Sequence, residues 1–79
     1  MYYVYKLQSL NYSNQKYTGF TQNLKQRLEY HNSGQVSHTS KYKPWKIVNY
    51  FAFSDEQKAK TFEIYLKSGS GRAFAQKHL

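Results

Sequence analysis

Residues 3–6 read YVYK and residues 16–20 read KYTGF, with LNYSNQ, residues 10–15, between them. The outer stretches are aromatic and loosely alternating, and the middle one is made of turn formers. The pattern predicts an antiparallel hairpin with strands over about 2–9 and 16–20. A strand destined for a core is better served by Val, Ile or Leu, yet each stretch here centres on a tyrosine whose hydroxyl needs a partner. Tyr5 and Tyr17 belong to neighbouring strands and are expected on one face, close together. Plain cross-strand aromatic packing accounts for them as well as chemistry does. Gly19 weakens a strand, so it signals a bulge or a close approach to the backbone.

Working outward, Thr21 can cap a helix over QNLKQRLEYHN, residues 22–32, closed by Ser33 and Gly34. Its stripe is Leu24, Arg27, Leu28 and His31, at i, i+3, i+4 and i+7. GQVSHTSKYKP, residues 34–44, reads as a polar, basic loop, and WKIVNYFAF, residues 45–53, as the strongest strand in the chain. Ser54 and Gln57 form a capping box for a helix over about Asp55–Ser68, which should stop at Gly69. Ala59, Phe62, Glu63 and Leu66 share one face of that helix. A short last helix is expected over about 71–78, docked by Phe74. The order is strand, strand, helix, strand, helix, short helix. It implies an α+β fold with a small three-stranded antiparallel or mixed sheet in one domain.

The chain has 79 residues, with nine Tyr, five Phe and one Trp supplying much of its buriable area. It has no Cys, so a disulfide framework and a zinc ribbon are excluded. No apolar run approaches a membrane span, and MYYVYKLQS, which opens like a strand, does not read as a signal peptide. The cytoplasm is the expected compartment. Twelve Lys and Arg face four acids, Glu29, Asp55, Glu56 and Glu63, for a net charge of +8. Such an excess favours a polyanionic partner, with nucleic acid foremost, over a membrane surface.

Glu63 lies on the face that should bury Phe62, where a carboxylate is expensive unless it pairs, reaches water or holds a cation. Arg27 and His31, one turn apart, either reach past the core edge into solvent or form a clamp for phosphate, with the guanidinium forked onto oxygen and the imidazole moving a proton. Lys41, Lys43 and Lys46 alternate with Tyr42 and Trp45 in HTSKYKPWK, residues 38–46. Lysines there can follow phosphates while Tyr42 stacks on a base, and Trp45 reads as core. Lys67 and Arg72 can extend the same footprint. Two phenols, an arginine, a histidine and a carboxylate together make a phosphodiesterase inventory.

The YVY of residues 3–5 followed by the YTG of residues 17–19 resembles the paired signature of the GIY-YIG (URI-domain) nuclease superfamily. NLKQRLEYHNSG resembles that family's first helix, with Arg27 and His31 at its arginine and histidine. PWKIVNYFAF and AKTFEIYLKSGSGRAF resemble the third strand and the glutamate helix of its small stand-alone bacterial members, and the resemblance runs over essentially residues 1–79. Two positions depart from it. Tyr3 stands where the first glycine usually is, and no Asn follows Asn49, where many family nucleases carry one late in the chain.

The resemblance implies a metal-dependent endonuclease acting on nucleic acid, DNA ahead of RNA, in repair or processing. Glu63 would bind one Mg²⁺ or Mn²⁺, Tyr5 would orient or deprotonate the attacking water, and Tyr17 would hydrogen-bond in the same site. Arg27 would stabilise developing charge, and His31 would assist proton transfer or bind phosphate. Selectivity in so small a domain would call for a homodimer or a recruiting partner. A catalytically weak nucleic-acid-binding module of the same fold is the alternative, and a basic protein that binds some other acidic macromolecule is a third.

Overall fold

The computed structural model describes all residues, 1–79. Its elements are β1 (Tyr2–Ser9), β2 (Lys16–Thr21), α1 (Leu24–Asn32), α2 (Ser37–Ser40), β3 (Trp45–Phe53), α3 (Glu56–Lys67) and α4 (Gly69–His78). The sheet has the order β2-β1-β3 with every pairing antiparallel, so the architecture is α+β as the sequence predicts and the mixed-sheet option falls away.

β1 is the central strand, and its alternation buries both of its faces. Val4 packs with Ala59 and Leu66 of α3, while Tyr5 and Leu7 pack with Trp45, Leu24 and Leu28 on the other side. The sheet therefore separates two small cores, with α1 over one face and α3 and α4 over the other. On the α3 side Phe62 meets Phe51 and Phe53, with ring centroids 4.8 and 5.6 Å apart. Opposite Lys6 and Leu7 the register skips Val48, so β3 carries one extra residue there. Gly19 is not a bulge. It pairs with Tyr5 across the ladder, and a Cβ built on it would lie 2.5 Å from the Tyr5 Cζ.

The helix caps fall one or two residues later than the sequence suggests. Asn23, not Thr21, caps α1 by accepting from the Gln26 N–H at 3.0 Å, and the Thr21 hydroxyl accepts from the Asn23 N–H instead. Asp55, not Ser54, caps α3 through the Lys58 N–H at 3.1 Å. Asn and Asp outrank Thr as caps, and the residue adjoining the first turn takes the role. The polar loop contains the single turn α2, whose Thr39 is buried.

Gly69 does not end the helical region but opens α4. Ser68 closes α3 and starts α4, accepting from the Gly71 N–H at 3.1 Å and donating to the Tyr65 carbonyl. No helix is long and apolar enough to cross a membrane.

At Gly71 an added Cβ would overlap the Tyr65 carbonyl oxygen and approach the Leu66 Cα to 2.6 Å, whereas at Gly69 it meets nothing within 4 Å. Backbone cannot yield as a side-chain tip can. Gly71→Ala is expected to destabilise the protein by about 3 kcal/mol, near the top of the usual overpacking range, while Gly69→Ala stays within about 1 kcal/mol of the parent. Urea unfolding of the two variants side by side checks this.

Candidate active site

The glycine opposite Tyr5 gives the phenol ring room to lie across β2, and the ring is 1% exposed. There its hydroxyl meets α1. The Tyr5 oxygen lies 2.9 Å from His31 Nε2, and Arg27 Nε–H donates to it at 3.3 Å. The i, i+4 spacing of Arg27 and His31 stacks them on the helix face that covers the sheet, so both reach one phenol. His31 is fully buried rather than reaching for solvent, and Arg27 is half-buried with its guanidinium 5.2 Å from the Tyr30 ring centroid.

His31 Nδ1 is 2.9 Å from Thr39 Oγ1, and the Thr39 hydroxyl donates to the Val36 carbonyl at 3.3 Å. One arrangement of protons gives every donor an acceptor. Thr39 spends its proton on Val36, so its oxygen accepts from His31 Nδ1–H. Nε2 is then an acceptor and takes the Tyr5 O–H, while the Tyr5 oxygen accepts from Arg27. No buried side-chain nitrogen or oxygen is left without a partner. The ring of Tyr17 lies 4.8 Å from that of His31 and 6.3 Å from that of Tyr5.

Burial is the first cause of both shifts here. It raises the Tyr5 pKa above its ordinary value, outweighing the Arg27 hydrogen bond that lowers it. It drives His31 down to about 4, helped by the positive charge of Arg27 and by His38. The Arg27 charge beside it does not bring the Tyr5 phenol below its ordinary value. At rest the pair is a neutral phenol donating to a neutral imidazole. The bond to Tyr5 is the first cause that raises the Arg27 pKa, so that group stays charged.

Glu63 is carried by α3, on the other layer. It makes no hydrogen bond to the four residues above, although its charge raises the Tyr5 pKa. Its side chain is 21% exposed, and one carboxylate oxygen pairs with Lys67 Nζ at 2.9 Å. No group of three or more His, Cys, Asp or Glu side chains is placed to hold a metal ion. A single carboxylate does fit a hydrated Mg²⁺, which takes one or two protein carboxylates and keeps several waters.

The structure thus brings Tyr5, Tyr17, Arg27 and His31 into contact, while Glu63 makes no hydrogen bond to them and acts on Tyr5 only through its charge. Among the residues expected to follow nucleic acid, Lys41, Lys43 and Lys46 are exposed. Tyr42 is half-buried, edge-on to Tyr12 at 5.3 Å, with its carbonyl held by Ser9 Oγ. Lys67 and Arg72 border a cleft on the α4 side. Trp45 is core, as its sequence context suggests. Two positioning residues escaped the sequence reading. Thr39 sits in a polar stretch with no periodicity to mark it. Asn32 brackets Trp45, accepting from its N–H at 2.6 Å and donating to its carbonyl at 3.1 Å, and so ties the end of α1 to the start of β3.

Comparison with known proteins agrees with this geometry. Residues 1–77 match the GIY-YIG catalytic domain family, whose members are generally nucleases and typically depend on a divalent metal. A Pediococcus acidilactici protein, "UPF0213 protein in ldhD 5'region", is 39% identical over 57 residues, or 68% of this chain and 58% of that protein. The chain thus spans a little over half the length of that curated relative. With its tyrosine pair, its α1 arginine and histidine and its α3 glutamate in the expected order, the chain belongs to the GIY-YIG family and has a nuclease-type fold.

Proposed function

We propose that this chain is a divalent-metal-dependent endonuclease that hydrolyses phosphodiester bonds in nucleic acid, DNA ahead of RNA. The observation that carries the reading is the buried Tyr5–His31 hydrogen bond with Arg27 on the same phenol oxygen. Aromatic packing alone explains neither a fully buried imidazole nor a guanidinium aimed at a tyrosine hydroxyl.

His31 Nε2 is the base and Tyr5 relays to it. A water hydrogen-bonded to the Tyr5 oxygen passes it a proton as the phenol proton moves to Nε2, so no free phenolate has to form in a site that disfavours one. Thr39 Oγ1 accepts from Nδ1–H throughout and fixes the tautomer that keeps Nε2 available. Arg27 spends Nε on Tyr5, which leaves its Nη groups for a phosphoryl oxygen. Tyr17 packs against the imidazole and holds its orientation. Glu63 would hold the divalent cation through the oxygen that Lys67 does not engage. A cation there supplies Lewis-acid polarisation of the phosphate and stabilises the leaving oxygen.

One observation favours the alternative of a binding module with little catalysis. Glu63 is already paired with Lys67, and no second carboxylate stands by to strengthen a metal site.

Nicking of supercoiled plasmid in Mg²⁺, Mn²⁺ or EDTA decides between the two. The nuclease reading expects metal-dependent nicking that Glu63→Ala abolishes and Tyr5→Phe slows by about 10²–10⁴-fold. Nicking that Glu63→Ala leaves intact, or salt-sensitive binding without any nicking, would move the assignment to the binding module. The pH profile of the wild-type rate gives a second check. Only neutral His31 accepts the Tyr5 proton, so activity should persist through pH 6.5, the ordinary histidine value, and fall as pH drops through about 4. An acid limb centred near 6.5 would remove His31 from the base role.

Stability follows the same group. The unfolded chain binds a proton at His31 below pH 6.5, and the folded chain does so only below about 4. The contribution is complete above pH 6.5 and is lost as pH falls through the folded value. Urea unfolding should show a loss of order 2 kcal/mol over that window, and His31→Gln, less stable at pH 7, should flatten it.

A further inference from the structure

A cleft of about 880 Å³ includes Tyr17 but none of Tyr5, Arg27, His31 or Glu63. It lies on the α4 side of the sheet, where Lys6 of β1 and Lys16 of β2 face Lys67 of α3 and Arg72 of α4. No acidic side chain lines it, and amides such as Asn49 and Gln76 complete the wall. We infer that this cleft is a phosphate-binding site for the backbone of the nucleic acid that the protein engages, meeting the Tyr5–His31 cluster on the opposite face only at Tyr17 of the edge strand.

Lysines on a convex surface spread apart, whereas these cations line one concave cleft, with Lys16, Lys67 and Arg72 exposed in it. Lys6 is half-buried, and its one hydrogen bond is to Thr18 Oγ1 at 3.4 Å. Burial first, and then the charges of Lys16 and Arg72, push its pKa down. Cations gathered in a concave wall where only Lys67 has a counter-charge, from Glu63, are relieved by a bound polyanion. The volume is that of a ligand of nucleotide size or larger, and amide N–H groups interspersed with cations suit phosphate oxygens. Position adds a second argument. The cleft includes Lys67, one turn from Glu63, and Tyr17 and Thr18 of the edge strand β2. A strand leaving the Glu63 end of α3 meets Lys67 and then the other three cations.

The inference rests on the nucleic-acid reading above but not on catalysis, so the test measures binding. It uses a labelled 20-nucleotide DNA strand in EDTA, the Glu63→Ala background and a series of salt concentrations. Three variants are added to that background: Lys6→Gln with Arg72→Gln, Asn49→Asp, and Lys58→Gln, an exposed control on α3 outside the cleft. Loss of two phosphate contacts is expected to weaken binding about tenfold near 0.1 M salt and to lower the log–log salt slope by roughly 1.5. Asn49→Asp sets a carboxylate opposite Lys6, with which Asn49 pairs in the sheet. It should keep or raise thermal stability while weakening binding, a combination that simple misfolding does not produce. Affinity and slope unchanged in both cleft variants would overturn the proposal. So would tight binding of a nucleoside triphosphate that is lost in the same variants, since the cleft would then serve a free nucleotide. Absence of plasmid nicking by the wild type would end the nuclease reading and leave this measurement standing.

Discussion

A tyrosine ring lying across a glycine governs the rest of this small fold. Tyr5 belongs to the central strand, where both faces are covered, so its hydroxyl has no route to bulk solvent along its own strand. Gly19, its partner in the register, removes the one side chain that would block the ring. The phenol then reaches α1, where a helix face that elsewhere presents Leu24 and Leu28 presents Arg27 and His31. Any residue with a Cβ at position 19 would push the ring away from both. The glycine fixes the distance between sheet and helix chemistry without itself taking part in it.

Much of this could be read from the sequence because the determinants are local. The hairpin, the third strand and the stripe on α1 each follow from turn chemistry or periodicity, and Gly19 stood out as a glycine inside a strand. The face shared by Ala59, Phe62, Glu63 and Leu66 emerges as predicted, with Ala59 and Leu66 buried. What the sequence hid is non-local. Thr39 matters only because α2 brings it to His31, and Lys6 and Lys16 only because α4 folds back over their side of the sheet. The sign of the Tyr5 shift was also out of reach, since it depends on burial overcoming Arg27. The caps slipped because Thr21 and Ser54 each have a better capping residue nearer the first turn, Asn23 and Asp55.

The two faces of the sheet divide the protein's polar resources. The α1 face holds a neutral relay in which protons can move but net charge is small. On the α4 face stand four cations, of which only Lys67 is paired with an acid, Glu63. Ion pairs neutralise little of the +8, since they join Glu56 to Lys60 and Glu63 to Lys67, each within one helix turn and partly exposed. The excess of positive charge is therefore concentrated by the fold as well as by composition. Electrostatic attraction of a polyanion, which acts over about a Debye length, and proton transfer, which requires a dry hydrogen bond, need opposite environments. Placing them on opposite sides of a three-stranded sheet satisfies both within one small chain.

That arrangement also determines what stability can mean here. Only twelve residues are buried, and Tyr5, His31, Thr39 and Ser9 are among them. The relay is a third part of the core, beside the two apolar clusters, rather than a decoration on its surface. A fully paired polar network costs little, but removing one member leaves its neighbour unpaired in the buried core. Loss of Thr39 would orphan His31 Nδ1, and loss of His31 would leave the Tyr5 O–H without an acceptor. Single substitutions in this network therefore change fold and chemistry together. Their separate contributions emerge only from double-mutant cycles along the Arg27–Tyr5–His31–Thr39 chain, where a shared relay produces coupling that two independent structural contacts would not.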